Sequence, residues 1–418
     1  MKQKKHCAIY GSNIKIESLF LKNLLKGNAP EPFKHLAGKT GVLFSSHNLN
    51  KFIKEEEIHS DFTLSKGTTR SIRTFSSGEQ KKALLNHLLL KHPDFIVLDN
   101  AFDMLDTEAQ KDLSLRLYEL SKKLIIIQIF RRKERVLSFI ENVVKIENDT
   151  IVYSGSISNY ENEYKVEKTF NINGTIPPPL NQIDSINNPL IHFKNVTVKY
   201  GDKTIVNNIN WEIKKGDFWQ LKGPNGSGKT TLLTMITGDN PKAFGQDITL
   251  FGRKKGTGES VWEIKKKIGY VTPAMTVLFE GRHTVESMVI SGLHDSIGLY
   301  KSPKSMETAL ANKWIDLIGL TNLKQAWFSD ISEQQQCMVL IARSMIKHPP
   351  LLILDEPTHG LDDYNVLVLT TLINKISKES KTAIIYVSHK KEKGLNPKVT
   401  YELIPTKEGS IGKTLTDN

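Results

Sequence analysis

Cysteine is nearly absent: Cys7 and Cys337 stand alone in 418 residues. That excludes a disulfide framework and leaves too few thiols for a zinc cluster, and it suits a reducing compartment. Long apolar runs are missing too. The longest, such as "LIIIQIF" and "LLILD", are strand-sized and fall well short of the roughly 18 residues that cross a bilayer. The basic start "MKQKKH" is followed only by "CAIY", too short for the core of a secretory leader. The expectation is a cytoplasmic protein, at most peripheral to the inner face of the membrane. A long basic block is also lacking. The formal charge of +12 comes from lysines scattered along the chain, which reads as a solvated surface while leaving an acidic partner such as nucleic acid open.

What the chain does have is a repeat. "FSSGEQKKALLNHLLLKHPDFIVLDN" at 75–100 pairs with "ISEQQQCMVLIARSMIKHPPLLILDE" at 331–356. In each, an amphipathic helix, a Pro-containing turn and a buried strand follow in order, ending at Asp99 or Asp355. An "LD" pair and a second apolar run, "KLIIIQIF" or "TAIIYVSH", come next. The predicted fold class is α/β: two tandem domains, each a mostly parallel sheet flanked by helices. We expect a first domain at 1–154, a linker at 155–187, a second domain at 188–406 and a tail at 407–418. The linker is short and rich in Asn, Ser and Pro, including "PPP". The first copy is truncated: it lacks the alternating stretch "IHFKNVTVKYGDKTIVNNINWEI" and much of the segment between its loop and its helix.

The second copy carries "GPNGSGKTT", which comprises Gly223, Pro224, Asn225, Gly226, Ser227, Gly228, Lys229, Thr230 and Thr231. It follows the strand "DFWQLK" and opens the helix "TLLTMITG", the context a phosphate-binding loop requires. The glycines let successive N–H groups turn inward toward phosphate oxygens, and the helix N-terminus adds its positive end. Lys229 would reach the β- and γ-phosphates and Thr230 would bind Mg²⁺. A plain glycine-rich turn is the bland reading, and this context argues against it.

Asp355 ends the strand "LLILD", placed to hold Mg²⁺. Glu356 beside it would take the proton of an attacking water. His389 ends "YVSH", positioned for a γ-phosphate; alone, it would be an ordinary surface histidine. Tyr200 closes an alternating strand, where it either stacks on adenine or simply packs.

The order of loop, helix motif, "LILDEPTHGLD" and "VSH" resembles the ATP-binding cassette (ABC) ATPases over nearly the whole chain. The resemblance implies two cassettes pairing head to tail, each ATP held by one cassette's loop and the other's "LSGGQ" motif. Carried over, Ser76 and Gly78 of "FSSGEQ" would complete the site in trans, with Ser77 in place of the first glycine. In the first copy "GSNIKIES" places Ile16 and Glu17 where Gly228 and Lys229 stand, Asn100 replaces the general base, and Phe130 falls near the histidine position. A carboxylate about 4 Å from a phosphate charge costs on the order of 4 kcal/mol at an effective dielectric of 20. In the second copy Glu333 and Gln334 stand where the motif needs glycines. The damage therefore falls on one composite site, and the other is expected to work. "AGKTG" at 37–41 imitates a loop end, but Phe33 stands where the first glycine belongs, so it reads as a turn.

The family's Gln after "IGYV" is replaced by Thr272 and Pro273, which implies slow hydrolysis. The segment "VESMVISGLHDSIGLY" resembles a subset of tandem cassettes named for molybdate transport and photorepair. The resulting expectation is a monomeric ATPase using Mg²⁺ and ATP, serving separate membrane transporter subunits, with molybdate a candidate substrate. The alternative is a soluble switch acting on the ribosome or nucleic acid.

Overall fold

The computed structural model describes residues 5–11, 19–59, 61–66, 70–103, 105–132, 136–147, 150–163, 170–180, 188–279 and 281–416. Ile16 and Glu17 lie outside the described residues. The chain forms two compact units: Met1–Glu167 with Gly360–Tyr364, and Lys168–His359 with Asn365–Asn418.

The first unit holds strands β1 (Cys7–Tyr10), β2 (Gly41–Phe44), β3 (Phe95–Asp99), β4 (Ile125–Phe130), β5 (Asn142–Glu147) and β6 (Thr150–Ser156). Its helices are α1 (Leu19–Leu25), α2 (Ser46–His59), α3 (Ser77–Leu89), α4 (Thr107–Ser121) and α5 (Ile157–Glu163). The strands form one sheet in the order β2-β3-β4-β1-β5-β6, parallel except for the β5–β6 pair. Strands β3 and β4 are buried at every position, as unbroken apolar runs covered on both faces should be. Alternate residues feed two cores. Ala8, Ile96, Leu98 and Ile126 pack on one face, and Ile9, Val97, Ile127 and Ile129 on the other. The "AGKTG" segment is a turn leading into β2, tied down where Thr40 donates from N and Oγ1 to Asp94 Oδ2 at 2.9 and 3.0 Å.

The second unit repeats that sheet. Its strands are β7 (Ile191–Tyr200), β8 (Lys203–Ile213), β9 (Phe218–Lys222), β10 (Asp247–Leu250), β11 (Arg253–Lys254), β12 (Ile268–Val271), β13 (Leu351–Asp355), β14 (Ala383–Ser388), β15 (Val399–Ile404) and β16 (Ile411–Thr416). The order β12-β13-β14-β9-β15-β16 matches the first unit strand for strand, again with only the last pair antiparallel. A separate antiparallel sheet, β11-β10-β7-β8, takes β7 and β8 from the alternating stretch the first copy lacks and β10 and β11 from the segment after the loop. Trp211 on β8 stacks on Tyr401 of β15 with ring centroids 4.7 Å apart, joining the two sheets in one core.

The helices of this unit are α6 (Lys229–Thr237), α7 (Val261–Lys266), α8 (Met275–Leu278), α9 (Val285–Ser291), α10 (Ser305–Leu317), α11 (Glu333–Met345) and α12 (Asp363–Glu379). Both α10 and α11 pack on α9, and Trp314 is buried between elements of this helical part. Residues 170–180, within the predicted linker, lie along the second unit as an extended strap. Ile176 N donates to Glu379 Oε2 at 3.0 Å, and the Pro177 carbonyl meets His348 Nε2 at 2.7 Å. Among the described residues no helix is long and apolar enough to cross a membrane.

Candidate functional site

Three neighbouring parallel strands of the second unit, β13, β14 and β9, end at the same edge. Their carboxyl ends carry Asp355, the turn to His389, and the glycine-rich loop. Strand ends of an open α/β sheet are where ligands bind.

The loop is shaped by what its glycines omit. A Cβ on Gly223 would lie 2.6 Å from Ser227 Oγ and 3.0 Å from the Leu403 carbonyl, and one on Gly228 would lie 2.5 Å from Val206 Cγ1. Gly228 also takes φ +99, open to glycine at no steric cost. It caps α6 without a side-chain bond, so the first-turn N–H groups from Lys229 onward lack partners in the helix. Lys229 Nζ folds back on the loop, donating to the carbonyls of Gly223 at 2.7 Å and Pro224 at 2.9 Å. Ser227 Oγ is buried and has no hydrogen-bond partner among the described residues. Pro224, Asn225 and Gly226 are exposed on the outer bend, and Thr230 and Thr231 lie in the first helical turn, with Thr230 exposed.

Asp355 accepts a hydrogen bond from Tyr270 Oη at 3.1 Å. Burial raises the Asp355 pKa. The Tyr270 bond opposes the rise, the Glu356 charge adds to it, and Lys229 works against it. Glu356 sits at φ +52, a left-handed conformation that costs a non-glycine residue about 1 kcal/mol or more. Both of its carboxylate oxygens lie 3.2 Å from His389 Nδ1. Burial works against its ionisation, but the His389 hydrogen bond and the nearby charges of His389, Lys229 and His359 outweigh it and hold the pKa below the ordinary value. With Nδ1 turned to a carboxylate, it is the donor nitrogen. His389 Nε2 is buried with no hydrogen-bond partner among the described residues.

Further bonds fix this arrangement. Gln220 Nε2 donates to Ser388 Oγ and to the Lys390 carbonyl, both at 2.8 Å, setting the turn that carries His389. Thr358 Oγ1 donates to Glu392 Oε1 at 2.8 Å, anchoring the loop after Glu356. Tyr200 ends β7 half-exposed, its hydroxyl 3.3 Å from Asn240 Oδ1. Lys242 Nζ stands 5.9 Å from the centroid of its ring.

The loop, Asp355, Glu356 and His389 thus converge within the second unit. Ser76 and Gly78 belong to the first. Ser76 caps α3: its Oγ accepts from Glu79 N at 3.3 Å while its own N–H donates to Glu79 Oε2 at 2.7 Å. Gly78 lies on the first turn, where a Cβ would stand 3.3 Å from Ala109 Cβ. Asp99 is buried at the end of β3, followed by Asn100 at φ +48. The strand register sharpens one correspondence. Asp355 pairs with Val387 and Asp99 with Ile129, so Phe130 matches Ser388 and Arg131 stands at the level of His389.

Sequence reasoning missed Tyr270. The run "IGYV" reads as a strand, and only the adjacency of β12 and β13 puts the tyrosine beside an aspartate far along the chain. Gln220 was equally silent inside an apolar strand.

A family model described as ABC transporter matches residues 206–359. The ABC transporter ATP-binding protein ModF of Escherichia coli (strain K12) is 34% identical over 333 residues, covering 77% of this chain and 68% of the relative. The uncharacterized ABC transporter ATP-binding protein C323.04 of Schizosaccharomyces pombe is 30% identical over 327 residues, 76% of this chain and 66% of the relative. The chain therefore spans about two thirds of the length of these two relatives. Among solved structures, a model of ribosome-bound archaeal Pelota and ABCE1 covers 99% of this chain and 75% of that chain, with a TM-score of 0.65 at 15% identity, a likeness of fold alone. The loop, the aspartate-ended strand and these relatives lead to one conclusion: the chain belongs to the ABC family of ATP-binding proteins, whose members hydrolyse ATP.

Proposed function

We propose that the second unit binds ATP on residues 223–231 and hydrolyses it with Glu356 as general base. The observation that carries this reading is the Glu356–His389 pair at the strand edge that also holds the loop and Asp355. A carboxylate kept ionised at neutral pH can accept a proton from water, and its bond to His389 holds it in place. Lys229 would leave the loop carbonyls for the β- and γ-phosphates. The unpartnered Ser227 Oγ and first-turn N–H groups would take phosphate oxygens. Tyr200 would stack on the base.

Mg²⁺ fits the donors present. One hydroxyl, Thr230, and one carboxylate, Asp355, are the kind of set this ion takes beside phosphate oxygens. When bound it would neutralise charge on the transferring phosphoryl group. Tyr270 keeps the Asp355 carboxylate oriented. Ser76 and Gly78 of the first unit would complete the site around the γ-phosphate.

One working site per chain is the corollary. Equilibrium dialysis of Glu356→Gln protein should give close to one ATP per chain; two tightly bound ATP molecules would overturn the asymmetric reading. For the biological role, the resemblance to ABC transporter ATP-binding proteins favours an ATP-driven subunit serving a separate membrane partner, with molybdate one candidate substrate. The net charge of +12 leaves room for the second reading, a switch acting on the ribosome or nucleic acid. Co-sedimentation of ATP-trapped Glu356→Gln protein decides between them: recovery with membranes supports the first, recovery with ribosomes the second.

A further inference from the structure

In each unit a short 3₁₀ turn leads into the serine cap of the motif helix, and the two turns are held by different groups. In the second unit the turn Phe328–Asp330 precedes the Ser332 cap. Phe328 is buried, and both of its backbone polar groups are met: its N–H donates to the His283 carbonyl at 2.8 Å, and its carbonyl accepts from Gln336 Nε2 at 2.8 Å. His283 lies just before α9, in the part between loop and helix that the first copy has cut short.

The first unit keeps the turn at the same spacing. Ile72–Thr74 precedes the Ser76 cap, Ile72 is buried, and its carbonyl accepts from Gln80 Nε2 at 3.0 Å. Ile72 stands four residues before its capping serine and eight before its glutamine, as Phe328 does. Its N–H, however, donates to a side chain, Glu56 Oε1, at 3.1 Å. Glu56 also accepts from Ser65 Oγ at 2.9 Å and from Ser71 Oγ. It lies on α2 one turn beyond Phe52 and Ile53, on the face that buries Leu49, where the helical period calls for an apolar residue. A carboxylate left only 6% exposed is costly in such a place without donors. Each of these donors belongs to the stretch 65–72 that leads to Ser76.

We propose that Glu56 is a positioning residue for ATP hydrolysis: its carboxylate stands in for the lost backbone carbonyl and holds the turn that sets Ser76 and Gly78 for the γ-phosphate. This role rests on the reading that Ser76 and Gly78 complete the ATP site. Without an acceptor the Ile72 N–H would be buried and unpaired, and the turn would have to move to find one. A shift of about 1 Å in a group that meets a reacting phosphate can cost about 10²-fold in rate. Truncation thus removed one support of the motif, and a single acid on α2 replaces it.

The test compares full-length Glu56→Met, which keeps the side-chain length without a strong acceptor, with Glu56→Gln, whose amide oxygen can still accept from the Ile72 N–H. Glu56→Met should lower kcat by about tenfold or more, while calorimetric titration shows Mg-ADP binding the loop 223–231 with the parent's affinity. Glu56→Gln should stay close to the parent rate. Amide exchange over residues 71–80 should quicken in Glu56→Met while β3 keeps its protection. If β3 loses protection as well, Ser71→Ala decides instead: it removes one donor to the carboxylate and should lower kcat about threefold with ADP affinity intact. Parent-like turnover in the deciding variant, equal losses in Glu56→Met and Glu56→Gln, or ADP affinity falling in step with turnover would each overturn the role of Glu56. Gly78→Gln is measured beside them. If it loses turnover where the Glu56 variants do not, the reading of Ser76 and Gly78 stands and only the role of Glu56 falls. If it turns over normally, that reading fails and the role of Glu56 fails with it.

Discussion

The two units place the same backbone under different side chains. Asn100 and Glu356 both follow the aspartate that ends a buried strand, at φ +48 and +52. His92 and His348 precede those strands at φ +47 and +50. Helices α3 and α11 both open with a serine capping box, Ser76 with Glu79 and Ser332 with Gln335. Within these frames the chemistry diverges. Asparagine adopts the left-handed conformation at lower cost than glutamate, so the first unit relieves strain where the second retains it, beside a histidine that uses the carboxylate. The helix that reaches back to this loop differs as well. In the first unit Lys81 Nζ is buried and donates to the carbonyls of Asn100, Ala101 and Asp103. In the second, Cys337 Sγ makes one weak contact with the Pro357 carbonyl at 3.4 Å. A loop pinned by an ammonium group serves structure. A loop left to a thiol keeps its carbonyls and carboxylates available for a ligand.

The sharpest way to break this comparison is at the strained position. Glu356→Gln should cut ATP turnover by about 10²–10⁴-fold, the usual worth of a general base, while ATP binding persists. Asn100→Asp should leave turnover unchanged. Steady-state phosphate release and nucleotide binding measured together decide it, and a Glu356→Gln protein that turns over normally would end the general-base assignment.

The helix starts supply the next test. Ser332 shows that a serine there caps a helix whether or not glycines follow, so the cap alone says nothing of ATP. Gly78→Gln copies Gln334, a residue the same helix geometry already accommodates in the second unit. The variant should fold normally and bind ATP, yet lose about 10²-fold in turnover through a blocked backbone approach. Full activity would mean that the first unit contributes no contact to the reacting phosphate.

A smaller effect separates the two loops by stability. Lys81→Met leaves buried carbonyls unpaired and should destabilise the first unit by about 1–3 kcal/mol. Cys337→Ala should cost the second about 1 kcal/mol or less. Amide exchange over residues 95–103 and 351–359 reads the two separately, and equal effects would refute the contrast.

The smallest expected change is at Tyr270. Tyr270→Phe removes one hydrogen bond to the ionised Asp355, a loss of about 1 kcal/mol and a few-fold in kcat/KM at neutral pH. The sign in acid is informative. The Asp355 pKa already lies above its ordinary value, and Tyr270 opposes that rise, so its removal pushes the pKa higher. The carboxylate then protonates earlier as pH falls, and the acid limb of the kcat/KM profile should move to higher pH. A limb that stays put or moves down would show that Tyr270 does not act through Asp355.

Much of this was legible in the residues. The loop "GPNGSGKTT" declares itself because glycine spacing, a preceding strand and a following helix coincide. The runs "FIVLD" and "LLILD" announce parallel strands because only fully covered strands are apolar throughout. Asp355, Glu356 and His389 were found by their places at the ends of such runs. Phe130 was placed near the histidine position, but the strand register puts Arg131 level with His389 and Phe130 level with Ser388.

Sequence alone determined the family, the α/β class and the duplication, and it named the groups proposed to meet a phosphate. These rest on local patterns: period-two burial, helix starts and glycine turns, each written within a few residues. The tertiary structure decided which of those groups touch. Tyr270 reaches Asp355 because β12 lies beside β13, Glu356 meets His389 because β14 lies beside both β13 and β9, and Lys81 reaches the loop after β3 because α3 packs over it. Strand order is set by long-range burial of whole faces, and no short stretch of sequence encodes it.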